Sequence, residues 1–295
     1  MENKKALGLV IFANVIFGCS FMATTVASEA CGGAVFGLLA GRFLIAFLFL
    51  LALNFFGAVR VSYRGKPIRR LVGIALLYPG VYYAAETIAL TQVDSAVVGV
   101  VIGMAPITTA LLMMLLFRQK QTCWQLIFII LSIIGVAVIN SGGFSGSGLS
   151  LQAILVLAVA LLSFSSYSIG INRAGEDFSA AEITLFMLFA GTVLFSIADS
   201  IARAPGAYLM DFANIQFLIP VVFLGILASG LSSFALNYGL CHLSPVKVSV
   251  LNNVTSVIAV LCGLLFLREQ LTLSSALGCG CILAGCIGYS ATSGK

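Results

Sequence analysis

Hydrophobic positions occur along this chain in continuous runs of about twenty residues, separated by short polar or glycine-rich breaks. A helix needs about 20 apolar residues to cross a bilayer, whereas a membrane β-barrel would show ~10-residue segments of alternating character. The pattern therefore predicts an all-α integral membrane protein with ten transmembrane helices. We place them at residues 6–27, 34–56, 68–90, 95–117, 124–140, 150–171, 181–201, 217–240, 245–267 and 274–291.

Composition strengthens this prediction. Of the 295 residues, 61% are hydrophobic and 8% are charged, whereas soluble domains carry about 25% charged residues. A water-soluble domain is therefore excluded. The first hydrophobic run follows Lys4 and Lys5 and is longer than the apolar core of about 7 to 15 residues in a signal peptide. We interpret it as a retained helix, with a cleaved signal peptide as the alternative.

The charges predict the orientation in the membrane. The net charge is +5, but the basic residues are spread over short loops, so a nucleic-acid partner is not expected. A cytoplasmic N-terminus puts twelve basic residues at the inner face, against Arg203 and Arg268 at the outer face. The positive-inside rule favours this choice. It predicts a multi-pass membrane protein with both termini in the cytoplasm and membrane lipids around it.

An internal repeat divides the chain. Residues 90–143 align without a gap onto residues 240–293 at an offset of 150, which matches Thr122 with Thr272 and Gly135 with Gly285. We therefore predict two five-helix repeats, 1–143 and 144–295. Because five is odd, the second repeat must enter the membrane inverted relative to the first. Inverted repeats related by a pseudo-two-fold axis are typical of secondary transporters.

The cysteines and the single histidine indicate neither a metal centre nor a cofactor. Eight cysteines are scattered over the helices, and His242 lies far from the pair Cys279 and Cys281. This spacing is typical of small helix-packing residues. The chain also has no glycine-rich phosphate loop of the Walker type, which excludes ATP-driven transport within this chain.

The third predicted helix carries the strongest candidate for solute binding. Ionisable groups inside membrane spans are costly, and only Arg42 and Glu86 lie well inside. Tyr78, Tyr82 and Glu86 recur at i, i+4 and i+8, with Tyr83 beside them, so they share one face. We predict that these four residues face the solute. The alternative is a structural ion pair between Glu86 and Arg42, and we group Arg42 with structural or gating residues.

The ninth predicted helix carries a polar stripe at i, i+3, i+4 and i+7, which should face protein or water. Its members are Ser249, Asn252, Asn253 and Ser256. Solute binding and interhelical hydrogen bonding are both open for this stripe. Its repeat mates on the fourth helix are small or kink-forming and predict a moving gate: Gly99, Gly103 and Pro106. Five further polar residues are weaker binding candidates: Asn14, Ser20, Tyr167, Asn237 and Tyr238.

The last predicted helix has a small residue at every fourth position, which allows another helix to approach closely. The ridge consists of Ala276, Gly280, Ala284 and Gly288. Packing within the bundle and dimerisation both fit, so a monomer and a homodimer stay open.

Three segments resemble a known family. They are a polar break in the first helix (Gly18-Cys19-Ser20-Phe21), an arginine in the second (Gly41-Arg42-Phe43), and residues 265–272 (LFLREQLT) before a glycine-rich helix. Together with the repeat, they resemble the EamA-like family of the drug/metabolite transporter superfamily. The resemblance implies a plasma-membrane carrier, usually an exporter, of amino acids, amines, nucleosides or related metabolites.

A carboxylate beside aromatic rings favours a cationic amine or a zwitterion over an organic acid. We therefore predict an alternating-access carrier of an amino acid or a choline-like amine. Its cavity is expected between helices 1, 3, 4, 6, 8 and 9. Direction and coupling to protons stay open. The alternatives are a channel or membrane scaffold and a membrane-embedded enzyme, for which His242 lacks a nucleophile or acid partner in the sequence.

Overall fold

The computed structural model describes residues 2–90, 92, 95–143, 150–266 and 272–292. Every secondary-structure element in these ranges is a helix, which confirms the all-α prediction. A short helix, Ala207–Asp211, precedes the eighth long helix. The long helices are α1 (Glu2–Ala30), α2 (Val35–Phe55), α3 (68–90), α4 (95–117), α5 (Cys123–Ile139), α6 (Leu151–Ala174), α7 (Ala180–Ala202), α8 (Ile215–His242), α9 (245–266) and α10 (Leu273–Thr292).

Six of these helices are long and apolar enough to cross a membrane, namely α2, α6, α7, α8, α10 and the Pro245–Cys262 part of α9. Two apolar helices are shorter, Ala105–Phe117 in α4 and Cys123–Ile139 in α5. Large apolar side chains such as Leu115, Leu151 and Ile201 are 72%, 73% and 82% exposed, as expected where lipid surrounds the protein. The number of ten spans stays a prediction.

Polar residues at the breaks of the hydrophobic pattern define where helices begin. Thr122 starts α5 with a capping box, because its hydroxyl accepts from the Gln125 N–H while the Gln125 side chain accepts from the Thr122 N–H. Ser179 and Glu182 form the same arrangement at α7. Side chains of Ser150, Asn214 and Ser244 cap α6, α8 and α9.

Four helices are irregular, and the irregularities occur in pairs at the 150-residue offset. A π-helical turn interrupts α3 at Leu76–Val81, and another interrupts α8 at Leu224–Ser232, which contains the six corresponding positions 226–231. Likewise α4 is interrupted at Met104 and α9 at Asn253, which is within one residue of the corresponding position. Broken helices and π-turns are frequent at functional sites of transporters. Equivalent helices of the two predicted repeats thus depart from regular α-helical geometry in corresponding regions.

Helices α5 and α10 cross with their backbones in contact. A Cβ atom on Gly135 would lie 2.6 Å from the Gly278 carbonyl oxygen, and one on Gly285 would lie 2.7 Å from the Phe128 carbonyl oxygen. Gly285 is the repeat mate of Gly135, and Phe128 is the mate of Gly278. Each contact therefore maps onto the other by exchange of the repeats, as a pseudo-two-fold axis through the crossing requires.

The face of α10 in this crossing differs from the predicted ridge, for which packing within the bundle and dimerisation were both open. Of the ridge residues, Gly288 meets α5, because a Cβ atom there would collide with the Phe128 ring. Ala276, Gly280 and Ala284 are exposed. The predicted boundary of the repeats after residue 143 stays a prediction, and segment 144–149 lies outside the described residues. So do Arg268 and Lys295.

All eight cysteines carry free thiols. Two of them meet across helices, because the Sγ atoms of Cys19 on α1 and Cys262 on α9 are 3.3 Å apart. In the part of the chain that the structure describes, no group of three or more His, Cys, Asp or Glu side chains could hold a metal ion.

Candidate functional site

A closed cavity lies among helices α1, α2, α3, α6, α7 and α8. Its volume is about 20 Å³, enough for about one water molecule. The walls combine aromatic rings, small hydroxyls, an amide and one arginine. They include Phe17, Arg42, Phe43, Tyr78, Pro79, Tyr83, Tyr167, Thr184, Met187, Leu188, Ser229, Ser233 and Asn237. Our expectation that α4 and α9 line the cavity is therefore not met here, whereas α2 and α7 contribute walls that we had not predicted.

Four tyrosines form one aromatic cluster at this cavity. The ring centroids of Tyr78 and Tyr167 are 4.4 Å apart, those of Tyr78 and Tyr83 are 5.3 Å apart, and those of Tyr78 and Tyr82 are 5.2 Å apart. The phenol oxygens of Tyr78 and Tyr83 are 3.2 Å apart. The irregular turn of α3 begins here, since Tyr78 has non-helical dihedrals. The structure thus brings together the three predicted tyrosines of α3 and Tyr167 of α6.

Glu86 lies one turn beyond the cluster, and its carboxylate accepts a hydrogen bond of 2.8 Å from the Tyr82 hydroxyl. Tyr82 is buried, so its hydroxyl holds the Glu86 carboxylate next to the tyrosine cluster. Glu86 contacts the cavity through the tyrosines and is not itself part of the lining given above. Its predicted role toward the solute stays a prediction.

Arg42 reaches the cavity from α2. Its Nε donates a hydrogen bond of 2.8 Å to the Ser229 hydroxyl in the π-turn of α8, and its guanidinium carbon is 6.0 Å from the Phe43 ring centroid. Among ion pairs within 4 Å in the described ranges, none joins Arg42 to Glu86. The alternative of a structural pair between them is therefore not formed in this conformation.

A chain of hydrogen bonds connects α6, α8 and α7 beside the tyrosines. The Tyr167 hydroxyl donates to Asn237 Oδ1 at 2.7 Å, and Asn237 Nδ2 donates to the Thr184 hydroxyl at 2.9 Å. Sequence reasoning missed Ser229 and Thr184. The signal for Ser229 was its position in α8, where small residues replace the tyrosines of α3 at the repeat offset.

The polar stripe of α9 lies against other helices. Asn253 Nδ2 donates to the Gly103 carbonyl at 3.3 Å and to the Ser132 hydroxyl at 2.8 Å, and the Ser249 hydroxyl is 3.2 Å from that of Thr109. These contacts favour interhelical hydrogen bonding. The Oδ1 atom of Asn252 is buried, and we find no hydrogen-bond partner for it among the described residues. Solute binding by the stripe, including Ser256, stays a prediction.

The weaker candidates other than Tyr167 and Asn237 are placed apart from the cavity lining. Asn14 donates to the Val10 carbonyl and accepts from the Thr255 hydroxyl on α9. Ser20 donates to the Phe17 carbonyl within α1. Tyr238 stacks on His242 with centroids 4.1 Å apart.

The α4 residues that we predicted as a gate pack closely against neighbouring side chains, and their gating role stays a prediction. A Cβ atom on Gly103 would lie 2.7 Å from Val136 Cγ1 of α5, and one on Gly99 would lie 3.3 Å from Asn140 Oδ1. Pro106 is buried near the start of the second part of α4.

Charged networks lie at the two ends of α7. At the predicted cytoplasmic end, the buried Glu182 carboxylate accepts from Lys66 Nζ at 2.5 Å and from the Ser62 N–H at 3.0 Å, while the Tyr63 hydroxyl donates to the Glu182 carbonyl at 2.8 Å. Burial, reinforced by the Glu182 charge, raises the pKa of Tyr63 to about 12.

At the opposite end, Arg203 donates to Asp199 at 2.8 Å and to Asp211 at 2.9 Å. Hydrogen bonds to these two carboxylates raise the pKa of Arg203 above its ordinary value.

Comparison with known proteins identifies the family. The sequence profile of the EamA-like transporter family matches residues 4–141 and again residues 151–291. The chain belongs to the EamA-like transporter family. It is a multi-pass membrane protein of a transporter family, which favours transport over catalysis.

Two relatives of this EamA-like protein carry the same description. The chain is 29% identical over 292 residues to the uncharacterized transporter YcxC of Bacillus subtilis (strain 168), covering 97% of this chain and 93% of the relative. It is 23% identical over 221 residues to an uncharacterized transporter of Archaeoglobus fulgidus, covering 75% and 76%. A solved crystal structure of a protein matches with a TM-score of 0.83 at 19% identity and 98% coverage of both chains. That likeness concerns the fold.

Proposed function

We propose that this protein is a secondary-active or facilitative carrier that moves a small polar solute across the plasma (inner) membrane by alternating access. The solute is an amino acid or an organic amine, and the direction is export. The two family matches and the transporter relatives support a carrier. The solute class rests on the chemistry of the cavity and the direction on the family resemblance.

The observation that carries the proposal is the pairing of irregularities between the two halves. The π-turns of α3 and α8 overlap at the repeat offset, and the interruptions of α4 and α9 fall within one residue of it. Halves with the same deviations in inverted orientation can exchange conformations, which turns an inward-open cavity into an outward-open one. The Glu182 and Arg203 networks lie at opposite ends of α7, and in the proposed cycle the two ends of the bundle open in turn.

The cavity supports an amine or zwitterion. The tyrosine rings offer π-faces to an ammonium group, and the Glu86 carboxylate, held by Tyr82, adds negative charge to the same side. A closed volume of about 20 Å³ indicates that a solute enters only after one end opens.

Solute counterflow in proteoliposomes tests the proposal. Liposomes loaded with unlabelled amino acids, quaternary amines or nucleosides, one at a time, receive the labelled solute outside. A carrier accumulates label transiently above equilibrium, because trans-solute accelerates exchange, whereas a channel does not. Empty liposomes and liposomes with a Gly103→Leu variant serve as controls. Uptake without trans-acceleration for every solute would contradict the carrier and favour a channel.

Orientation is tested separately. Reporter fusions after Lys295 and within segment 141–149 should report cytoplasmic and external locations respectively. The opposite result at either site would contradict the proposed inverted arrangement.

A further inference from the structure

We propose that Arg42 binds a carboxylate group of the solute. This inference rests on the proposed carrier function and narrows it, because it selects a zwitterion of the amino-acid class over a purely cationic amine. Three features of the cavity lead to it: unused hydrogen-bond donors, an unpaired charge, and the position of the aromatic rings.

The guanidinium group of Arg42 has more donors than partners. Arginine carries five N–H donors in a planar fork, and in the described part of the chain only Nε has a partner, the Ser229 hydroxyl at 2.8 Å. The two Nη nitrogens have no hydrogen-bond partner among the described residues. This fork matches a carboxylate, which accepts two parallel hydrogen bonds from it.

The charge of Arg42 also has no ion pair. Within the described ranges, no carboxylate oxygen lies within 4 Å of its nitrogens, and the nearby Glu86 carboxylate, which attracts Arg42 only from a longer distance, is hydrogen-bonded to Tyr82. By contrast, two partly exposed cations near the ends of the helices form ion pairs: Lys66 with Glu182, and Arg203 with Asp199 and Asp211. A charge without an ion pair inside a membrane span is costly. A carboxylate of the solute that pairs with Arg42 would lower this cost.

The cavity around Arg42 is built to receive a small anion next to an aromatic wall. Helix α8 approaches α2 closely, since a Cβ atom on Gly225 would lie 3.1 Å from the Arg42 carbonyl oxygen. Gly225 belongs to the π-turn of α8, and the same turn places Ser229 at the guanidinium, while Ser233 lines the same wall. A carboxylate bound here leaves the rest of the solute against the rings of Tyr78 and Tyr83, where an ammonium group is stabilised. Opposite charges at the two ends of one small molecule describe an amino acid.

Matched ligand pairs test the inference on the unmodified protein. Purified full-length chain is titrated with L-amino acids and with the amine that has the same side chain but no carboxylate, such as phenylalanine with phenethylamine and leucine with isopentylamine. Thermal shift gives the stabilisation and calorimetry gives the affinity. We expect at least one amino acid to bind at least tenfold more tightly than its amine. Equal affinities, binding by amines alone, or no binding by any amino acid would overturn the inference.

Variants then locate the effect. Arg42→Gln should weaken binding of the amino acid at least tenfold and leave the matched amine unchanged, whereas Arg42→Lys should retain part of the preference. Arg70→Gln, on the exposed cytoplasmic surface, is the matched control and should bind both ligands as the unmodified chain does. If folded Arg42→Gln loses both ligands equally, Arg42 shapes the site and the inference is wrong. If that variant does not fold, the ligand pairs on the unmodified chain decide.

The proposed carrier function and the proposed carboxylate site can be contradicted separately. An amino acid that binds through Arg42 but shows no counterflow would contradict the carrier and leave the carboxylate site standing. Conversely, counterflow of an amine whose binding ignores Arg42 would support the carrier and overturn the carboxylate site.

Discussion

The Asn253 side-chain amide donates a hydrogen bond to the Gly103 carbonyl, and these two residues are mates at the 150-residue offset of the repeats. A contact between a residue and its own repeat mate can occur only near an axis that exchanges the two repeats. The bond also joins α4 and α9 where both helices are interrupted. The second bond of this amide, to Ser132, ties the same point to α5.

We expect Asn253→Ala to lower the stability of the protein by about 1 to 2 kcal/mol, because two interhelical hydrogen bonds are lost. Asn252→Ala is the matched control, since it removes a buried acceptor without a partner among the described residues, and it should leave the stability unchanged or raise it. Thermal unfolding in detergent measures both. If instead both variants weaken solute affinity several-fold at unchanged stability, the stripe binds the solute.

Gly103 should control the exchange rate through the space that it leaves. A side chain there would collide with Val136, so Gly103→Leu should slow counterflow at least tenfold while equilibrium binding to one conformation persists. Gly103→Ala should slow it less, and adding Val136→Ala should restore the rate by removing the colliding methyl groups. A loss of affinity without slower exchange would contradict this role.

Glu86→Gln keeps the size of the side chain and removes its charge. If Glu86 stabilises a cationic group of the solute, transport should fall at least tenfold, about 1.4 kcal/mol, at normal expression. Tyr82→Phe is the comparison, because it removes only the hydrogen bond to the carboxylate and should have the smaller effect. Loss of proton dependence with binding intact would identify Glu86 as a coupling site, and unchanged kinetics would make it structural.

Cys19 and Cys262 should cross-link under mild oxidation with copper phenanthroline, in which oxygen takes two electrons and the thiols release two protons. Alkylation should then count two fewer free thiols. Counterflow should stop and return on reduction, because the bond ties α1 to α9, one helix from each proposed half. Cys19→Ser should prevent both effects. Cross-linking without loss of counterflow would show that α1 and α9 move together.

The raised pKa of Tyr63 predicts a specific pH dependence. The unfolded chain ionises this tyrosine near pH 10 and the folded chain at about 12, so the stability that Tyr63 contributes is complete below pH 10 and is lost as the pH rises through 12. Thermal unfolding of the unmodified chain and of Tyr63→Phe should therefore differ by a constant amount below pH 10 and converge above it. A difference that persists to pH 12 would contradict the assignment.

The aromatic side of the site was predictable from the sequence, because periodicity alone places Tyr78 and Tyr82 on one face of a helix. The other side was not. The partner of Arg42 is 187 residues away in the chain, and periodicity does not reveal which helices become neighbours. For the same reason, the polar stripe of α9 was expected at the cavity, whereas Asn253 lies at the crossing with α4.

Helix positions followed the hydrophobic pattern closely, but their irregularities did not. Pro79 and Pro220 mark kinks in α3 and α8, yet the π-turn at Leu224–Ser232 begins after its proline and contains none. In α10, the spacing of small residues by four predicted a ridge that includes Gly280, whereas the backbone contact with α5 involves Gly278 and Gly285. Several faces of this helix carry small residues, and only packing shows which face meets α5.

The contact of α5 with α10 sets a mechanical limit on any motion of the two halves. Where backbones touch without intervening side chains, separating them would leave a void too narrow to fill, so contacts would be lost without replacement. If the protein alternates between two conformations as proposed, we expect these two helices to stay assembled while the remaining helices turn around them. Neither helix contributes a residue to the cavity lining, so the solute would lie away from this axis, where a small rotation produces a larger displacement.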